Sequence, residues 1–236
     1  MKKWLTLLGL SALTLTSAYA STTTLEKNLK KEFPQVPTKI LGDTPIKGVY
    51  ELLVGDTIVY TDENARYFFV GNLVDFKNKQ NLTAKREEAL TKIDVNTLPL
   101  EQAIKHVKGD GSRTLYVFSD PDCPYCKKLE KNMTSVDNVT LYTFLFPLKN
   151  LHPNAETVAQ QIWCASNPYE AWEDYMILNK APTTTANCDN PIQKNIALGR
   201  SLNITGTPTL FLADGSRISG ALDAEDLNKL LDQYKK

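Results

Sequence analysis

The spacing of apolar residues in the first part of the chain predicts one helix followed by a small sheet. Leu25, Leu29 and Phe33 recur every four residues, so a short amphipathic helix is expected there, and Pro34 would end it. Runs rich in β-branched and aromatic residues follow, and they predict strands at residues 38–41, 48–54, 57–61 and 67–70. We therefore expect a small α+β domain with an antiparallel sheet at residues 21–80.

The next segment, NLTAKREEALTKI at residues 81–93, is charged and favours a helix. Its few large apolar residues are Leu82, Leu90 and Ile93, which provide too little apolar surface for a core element. The pattern predicts a helical linker, at residues 81–98, that lies partly in solvent.

Beyond the linker, strand-like and helical patterns alternate, which indicates an α/β domain at residues 99–236. Buried strands are predicted at 114–118 (TLYVF) and 141–146 (LYTFLF). The pattern then predicts helices at residues 155–165, 169–178 and 191–202, a hairpin that turns at Asp214 and Gly215, and a final helix from residue 224. The chain therefore divides into two domains of different architecture.

The first twenty residues, MKKWLTLLGLSALTLTSAYA, have the three parts of a secretory signal peptide. Lys2 and Lys3 precede an apolar stretch, and the segment ends in the small-x-small sequence Ala18-Tyr19-Ala20. The apolar stretch is shorter than a typical membrane span, and no run of 18 or more apolar residues follows it. We expect cleavage after Ala20 and an exported protein in an oxidising compartment.

The charge balance argues against two classes of partner. Of the 27 basic residues, loss of Lys2 and Lys3 with the signal leaves 25, against 27 acidic residues. Nucleic acids and anionic membranes are bound by clusters of Lys and Arg. A nearly neutral mature chain gives no electrostatic support for either partner.

All four cysteines lie beyond residue 122, and Cys123 and Cys126 stand three positions apart in SDPDCPYCKKLE. A zinc site is disfavoured because Cys164 and Cys188 are 24 residues apart and no histidine stands at ligand spacing. A structural disulfide within so short a loop as 123–126 would remove little entropy from the unfolded chain. A working redox pair explains the motif best, and no metal or other cofactor is expected.

The position of the pair gives the two thiols different tasks. Cys123 follows a predicted strand and precedes a helix that Pro124 can start, so unpaired N–H groups and the helix dipole stabilise its thiolate. Cys126 lies about one turn further into the helix, where we expect more burial. We therefore predict that Cys123 is the nucleophile and that Cys126 is the resolving thiol.

A second motif, TGTPT at residues 205–209, stands directly before an apolar strand. Together with the CPYC motif it resembles the thioredoxin superfamily, in which a cis-proline faces the cysteine pair. The resemblance implies that Thr207 and Pro208 contact the substrate, and that Tyr125, between the two thiols, contacts it as well.

Over essentially the whole mature chain, the sequence is similar to the DsbC/DsbG family of periplasmic disulfide isomerases. The similarity rests on the signal peptide, the cysteine-free first domain, the linker, the C-x-Y-C motif, IWCAS at 162–166 and GTP at 206–208. It implies a thioredoxin-like catalytic domain preceded by a small cystatin-like α+β dimerisation domain. It also implies a homodimer with chaperone activity on misfolded disulfide-containing proteins, a membrane reductant of the DsbD type, and a structural disulfide between Cys164 and Cys188.

Three alternatives share parts of this pattern. A DsbG-like reductase of oxidised single cysteines also carries CPYC, a holdase chaperone could carry the thiols incidentally, and an oxidase would use the same chemistry at a different redox potential. Pro124 stands where the best-known family members have glycine. Because the dipeptide between the cysteines tunes the potential, the sequence leaves the potential open.

Four other polar residues are expected to have ordinary roles, because the sequence gives no evidence that either histidine contacts the pair. His106 and His152 are the only histidines of the chain, and both are expected at the surface. Asp120 and Asp122 flank the end of the predicted strand, where turn or capping roles are expected.

Overall fold

The structure is a computed structural model that describes residues 17–55 and 57–234. The described residues form two compact units, which divide between Glu87 and Glu88. Most of the predicted signal peptide, residues 1–16, lies outside the described residues. No helix in the described ranges is long and apolar enough to cross a membrane.

The described part of the first unit is built on helix α1 (Ser17–Glu32) and a four-stranded antiparallel sheet. The strands of the sheet are β1 (Thr38–Asp43), β2 (Tyr50–Val54), β3 (Thr57–Thr61) and β4 (Phe68–Val70), and a ribbon of β5 (Val74–Asp75) and β6 (Gln80–Asn81) follows. The strand order of the sheet is β1-β2-β3-β4. Strand β4 therefore lies at an edge.

The core of this unit forms between α1 and the sheet. Leu25 and Leu29 are buried in one cluster with Tyr50 and Leu52. This is the packing expected of apolar residues four positions apart on a helix. Phe33, the third residue of that pattern, lies just beyond the helix and keeps 36% of its surface exposed.

Helix α2 (Leu82–Thr91) occupies the segment predicted as a helical linker and contains the division between the units. In the first unit, the Thr83 hydroxyl is buried and lies 2.5 Å from the Tyr60 hydroxyl. In the second unit, the Ile93 N–H donates to the Gly215 carbonyl at 3.1 Å. The start of the predicted linker is therefore hydrogen-bonded to the first unit, and its residue Ile93 to the second.

The second unit contains a five-stranded mixed sheet. Two 3₁₀ turns (Val95–Thr97 and Leu100–Gln102) precede the strands β7 (Ile104–Lys108), β8 (Arg113–Ser119), β9 (Val139–Leu145), β10 (Thr209–Leu212) and β11 (Arg217–Ser219). The helices are α3 (Pro124–Met133), α4 (Ala155–Trp163), α5 (Pro168–Leu178), α6 (Ile192–Ser201) and α7 (Ala224–Gln233). The strand order is β11-β10-β8-β9-β7, with β8 parallel to β9 and the other neighbouring pairs antiparallel.

Strand β7 is absent from the elements that the sequence pattern predicts. It lies at an edge of the sheet, and Ile104 is the one buried residue among its five. Val107 keeps 49% of its surface exposed. An edge strand with one buried position carries too weak an alternation of apolar and polar residues to be recognised.

Strand β8 lies at the centre of the sheet and is buried on both faces. Leu115 and Val117 pack in one apolar cluster with residues of α3 and α7. On the other face, Phe118 stacks on Phe144 with 4.8 Å between ring centroids, and Phe211 meets the Phe118 ring edge-on at 6.0 Å. One strand therefore contributes to the cores on both faces of the sheet, which are two of the three apolar clusters in the described part of the unit. This packing fixes where the C-terminal end of β8 lies.

A disulfide joins Cys164, directly after α4, to Cys188, in the loop before α6. The two residues are separated by 24 positions in sequence, and α5 lies within the closed loop. A cross-link of this loop length lowers the entropy of the unfolded chain and thereby stabilises the folded unit.

We expect replacement of both disulfide cysteines by alanine to lower the free energy of unfolding by roughly 3 kcal/mol. Urea denaturation of the oxidised wild type and of the Cys164→Ala/Cys188→Ala variant measures the difference. Reductant should destabilise the wild type by a similar amount and the variant far less. Equal stability of the two oxidised proteins would show that the bridge does not act through the unfolded chain.

Candidate active site

The cysteine pair lies where β8 ends and α3 begins. Cys123 is the N-cap residue of α3 and has an extended backbone, and Pro124 occupies the first helical position, where no N–H is needed. Cys126 lies one turn further on and is completely buried, whereas Cys123 keeps 5% of its surface exposed. Both thiols are free. The local sequence thus places one thiol at the helix end and the other beneath it.

The surroundings of the two thiols shift their acidity in opposite directions. A hydrogen bond from the Cys126 thiol lowers the pKa of Cys123 to about 5, assisted by the N–H groups of Cys126 and Tyr125, while burial opposes the shift. Burial raises the pKa of Cys126, and its hydrogen bond to Cys123 adds to that effect. Cys123 therefore carries the thiolate at neutral pH, and Cys126 stays protonated.

The TGTPT loop reaches the cysteine pair through the register of the sheet. Strand β10 pairs with β8 so that Thr209 lies opposite Phe118, which brings Thr207 and Pro208 level with the end of β8. The Thr207–Pro208 peptide bond is cis, and Cys123 Sγ lies 3.3 Å from the Thr207 carbonyl oxygen. Two motifs that are 84 positions apart in sequence therefore form one site.

Tyr125 has a different place from the two thiols that flank it. Its backbone N–H is one of the groups that stabilise the Cys123 thiolate. Its side chain keeps 63% of its surface exposed. The ring is therefore open to contact with another molecule beside the cysteine pair.

Asp120 and His152 form a contact that the sequence pattern does not reveal. The Asp120 side chain is fully buried, and its Oδ2 atom accepts hydrogen bonds from the Leu148 N–H at 2.6 Å and from His152 Nδ1 at 3.0 Å. Its Oδ1 atom accepts the Asp122 N–H at 2.8 Å, which is the turn role expected of it. The hydrogen bond to Asp120 is the main cause that raises the pKa of His152.

His152 is thus not the simple surface residue that was expected, since 23% of its side chain is exposed. It lies 32 positions from Asp120, and no motif joins the two. His106 is also half-buried, because its ring stacks on Tyr169 with 3.5 Å between centroids. Asp122 accepts a hydrogen bond from the Tyr175 hydroxyl at 2.5 Å.

The described ranges, residues 17–55 and 57–234, contain no group of three or more His, Cys, Asp or Glu side chains that could hold a metal ion.

Comparison with known proteins assigns the chain to a family. Residues 100–235 match the family model of a thioredoxin-like domain, and residues 16–84 match that of the disulfide bond isomerase N-terminal domain. A probable thiol:disulfide interchange protein DsbC from Bordetella avium is 34% identical over 210 residues, which cover 89% of this chain and 74% of that protein. The chain belongs to the DsbC family.

Two further comparisons define the extent of the similarity. The probable DsbC of Bordetella parapertussis is 42% identical over 184 residues, which cover 78% of this chain and 65% of that protein. The chain therefore spans less than two thirds of that relative. A crystal structure of a disulfide interchange protein from Neisseria gonorrhoeae is 38% identical, with a TM-score of 0.57, and covers 59% of this chain and 99% of that one. The predicted fold class, a thioredoxin-like domain preceded by a DsbC-type N-terminal domain, is confirmed.

In this DsbC-family chain an acidic residue lies on the same helix as the thiols. Glu130 follows Cys126 by four positions, so both side chains lie on one face of α3. Its Oε1 atom accepts a hydrogen bond from Trp172 Nε1 at 2.9 Å, and Trp172 packs in the same apolar cluster as both cysteines. Burial raises the pKa of Glu130 to about 7, although the bond from Trp172 opposes the shift.

This raised pKa makes the contribution of Glu130 to stability depend on pH. A carboxyl group with a higher pKa in the folded state stabilises that state while protonated, so the contribution is complete below its ordinary pKa of 4.5 and is lost as pH rises through about 7. Glu130→Gln keeps an acceptor for Trp172 and cannot ionise. We expect the free energy of unfolding of the variant, relative to that of wild type, to increase by up to about 3 kcal/mol between pH 4.5 and pH 8.

Urea denaturation at several pH values measures this gain. The matched control is Glu101→Gln, which changes an exposed glutamate of the same unit. A stability difference between Glu130→Gln and wild type that stays constant with pH would contradict the assignment.

Proposed function

We propose that this protein is a thiol:disulfide interchange enzyme of the isomerase type that acts on exported proteins. One arrangement carries the proposal: the Cys123 thiol, with its lowered pKa, lies at a helix N-terminus, 3.3 Å from the Thr207 carbonyl oxygen and next to the buried Cys126. The similar Bordetella proteins are named probable thiol:disulfide interchange proteins, which supports the same chemistry.

The reaction begins at Cys123. Its thiolate attacks one sulfur of a wrong disulfide in the client protein, which forms a mixed disulfide and expels the second client sulfur as a thiolate. The expelled thiolate then takes up a proton from water. Because the pKa of Cys123 is lowered to about 5, the attack needs no separate base at neutral pH.

The mixed disulfide can be resolved in two ways. In isomerisation, another client thiolate attacks the client sulfur bonded to Cys123, so a new client disulfide forms and Cys123 leaves as a thiolate without net electron transfer. In reduction, Cys126 loses its proton and attacks Cys123 Sγ, which releases a reduced client and leaves the pair oxidised. Burial raises the pKa of Cys126, which slows the second route and gives the client time to rearrange.

The reductive route consumes two electrons for each client disulfide. The Cys123–Cys126 disulfide that it leaves must be reduced before the next attack, because only a free Cys123 thiolate starts the reaction. A membrane reductant of the DsbD type would supply these electrons. Isomerisation itself returns the pair in its reduced form.

Residues beside the thiols bind the client. The Thr207 carbonyl accepts a hydrogen bond from the Cys123 thiol, so loss of that proton frees the carbonyl to pair with the client backbone. Pro208 follows Thr207 through the cis bond and belongs to the same loop. The exposed ring of Tyr125 offers an apolar contact to the client chain.

The first unit supports a homodimer. On the edge strand β4, Phe69 and Val70 keep 60% and 76% of their surfaces exposed. Both residues also line an open cavity of about 400 Å³ together with Ile46 and Tyr60. An exposed apolar edge strand can pair with another chain, and pairing with a second copy about a two-fold axis covers the β4 edge of both chains. The match of residues 16–84 to the disulfide bond isomerase N-terminal domain supports the same role.

A dimer also accounts for chaperone activity and fits the compartment. Two catalytic units joined in one molecule would hold a misfolded client while its mixed disulfide rearranges. A periplasmic location is supported by the signal-like sequence of residues 1–20 and by the Cys164–Cys188 disulfide, which persists in oxidising surroundings.

Variants of the two thiols test the chemistry. Cys123→Ser should abolish both insulin reduction and the refolding of a scrambled multi-disulfide protein, because the attacking sulfur is lost. Cys126→Ser should still attack and should accumulate as a mixed disulfide on non-reducing gels. Iodoacetamide at about pH 6 should label Cys123 before Cys126. Faster labelling of Cys126 would reverse the assignment, and full refolding activity of Cys123→Ser would favour the holdase alternative.

Variants of the edge strand test the dimer. Phe69→Asp should give a monomer in light scattering that still reduces insulin but loses most of its refolding activity, because a buried carboxylate at an apolar interface is costly. A truncated chain that begins at Glu88 should behave in the same way. Val107→Asp is the control, since it changes an exposed apolar residue on the edge strand β7 of the other unit. If the monomer refolded scrambled substrate as well as wild type, the dimeric isomerase proposal would be wrong, and a plain thiol reductase would replace it.

A further inference from the structure

Asp120 is bonded through its backbone to both cysteines. Its carbonyl oxygen accepts the Cys123 N–H at 3.2 Å, and its own N–H donates to Cys126 Sγ at 3.4 Å. Asp120 follows directly after β8, so the central strand of the sheet fixes its position. A change of charge at Asp120 or at a group bonded to it therefore occurs close to both sulfur atoms.

The Asp120 carboxylate is buried, and one of its partners can titrate. Within residues 17–55 and 57–234, its hydrogen bonds come from the N–H groups of Asp122 and Leu148 and from the imidazole of His152. The two N–H groups are neutral and cannot ionise. The His152 side chain is 23% exposed, so protons can reach it from solvent. The carboxylate has a cationic partner when His152 is protonated.

We propose that Asp120 and His152 are positioning residues that tie the reactivity of the Cys123 thiolate to pH, with the imidazolium form of His152 favouring the thiolate. Asp120 holds the imidazole ring, and His152 supplies the charge that titrates. The proposal rests on the proposed function, because it concerns the same thiol. In this proposal the pKa of Cys123 depends on the charge of His152 as well as on the helix N-terminus.

The charges around His152 give the direction of the effect. Three acidic groups raise the pKa of His152: Asp120 through its hydrogen bond and its charge, then Cys123 and Asp122 through charge. The Tyr175 hydroxyl, which binds Asp122, stays neutral because burial raises its pKa. Coupling between two sites is reciprocal, so a thiolate that stabilises the imidazolium is stabilised by it to the same extent. Oxidation of Cys123 removes the thiolate charge and should lower the pKa of His152.

The untagged wild-type protein carries its own control for this coupling, because His106 and His152 are its only histidines. NMR titration of both imidazoles is compared in the reduced protein and in the Cys123–Cys126 disulfide form, with signals assigned from His106→Gln. We expect oxidation to lower the pKa of His152 by roughly half a unit or more and to leave that of His106 in place. An unchanged pKa of His152 would overturn the proposal.

A charge-neutral variant tests the other side of the coupling. His152→Gln keeps a hydrogen-bond donor for Asp120 and removes the titrating charge. Thiolate absorbance against pH should show the pKa of Cys123 raised by roughly half a unit or more, with alkylation about threefold slower below that pKa. His106→Gln should match wild type. A Cys123 titration curve that is the same in His152→Gln and wild type would refute the role of His152.

A double-mutant comparison tests whether Asp120 is the link. The effect of His152→Gln on the pKa of Cys123 should be smaller in an Asp120→Asn background, because the two residues act as one unit. An equal effect of His152→Gln in both backgrounds would show that Asp120 does not link His152 to Cys123. If Asp120→Asn does not fold, the two preceding measurements still decide the role of His152.

These titrations use no client protein, so they separate this proposal from the proposed function. If the wild type fails to refold scrambled substrate while His152 responds to the redox state of Cys123, the isomerase function is wrong and the coupling stands. If refolding succeeds and His152 does not respond, the pH coupling alone is wrong.

Discussion

The hydrogen-bond register between β10 and β8 is the constraint on which the site depends. Thr209 lies opposite Phe118, and the next residues of β10 alternate between the two cores, with Leu210 on one face and Phe211 on the other. A slip by one residue would move every side chain of β10 to the wrong face of the sheet. The packing of both cores therefore holds the cis-proline loop against Cys123, and no contact within the site itself has to provide that alignment.

Burial and hydrogen bonding shift the pKa values of the two thiols in opposite directions, and the larger effect at each sulfur decides the direction. Burial opposes ionisation of both sulfurs. At Cys123 it is outweighed by hydrogen bonds from the Cys126 thiol and from two N–H groups at the start of α3. At Cys126 burial is the largest effect, and the bond to Cys123 adds to it. An asymmetric pair therefore arises from two identical side chains placed one helical turn apart.

The sequence predicts those parts of the site that depend on neighbouring residues. A short apolar strand, a proline at the first helical position and the cysteine spacing act within about a dozen residues, so the strand-to-helix junction at Cys123 can be read directly. The contacts of Asp120 with His152 and of Glu130 with Trp172 join residues 32 and 42 positions apart, and they depend on how the helices pack. No local pattern encodes them. Both contacts between ionisable groups and their partners therefore cannot be predicted from the sequence pattern.

These distant contacts keep two acids in the interior by different means, and both respond to pH in the same direction. The Asp120 carboxylate has an imidazole partner, whereas burial favours the neutral form of Glu130, with a pKa of about 7. As pH rises, His152 loses positive charge and Glu130 gains negative charge. In the proposed coupling, loss of the His152 charge withdraws support from the Cys123 thiolate, and protonation of His152 at lower pH restores that support. The surroundings of the pair therefore favour an ionised Cys123 most on the acid side of neutrality, where an ordinary thiol is fully protonated.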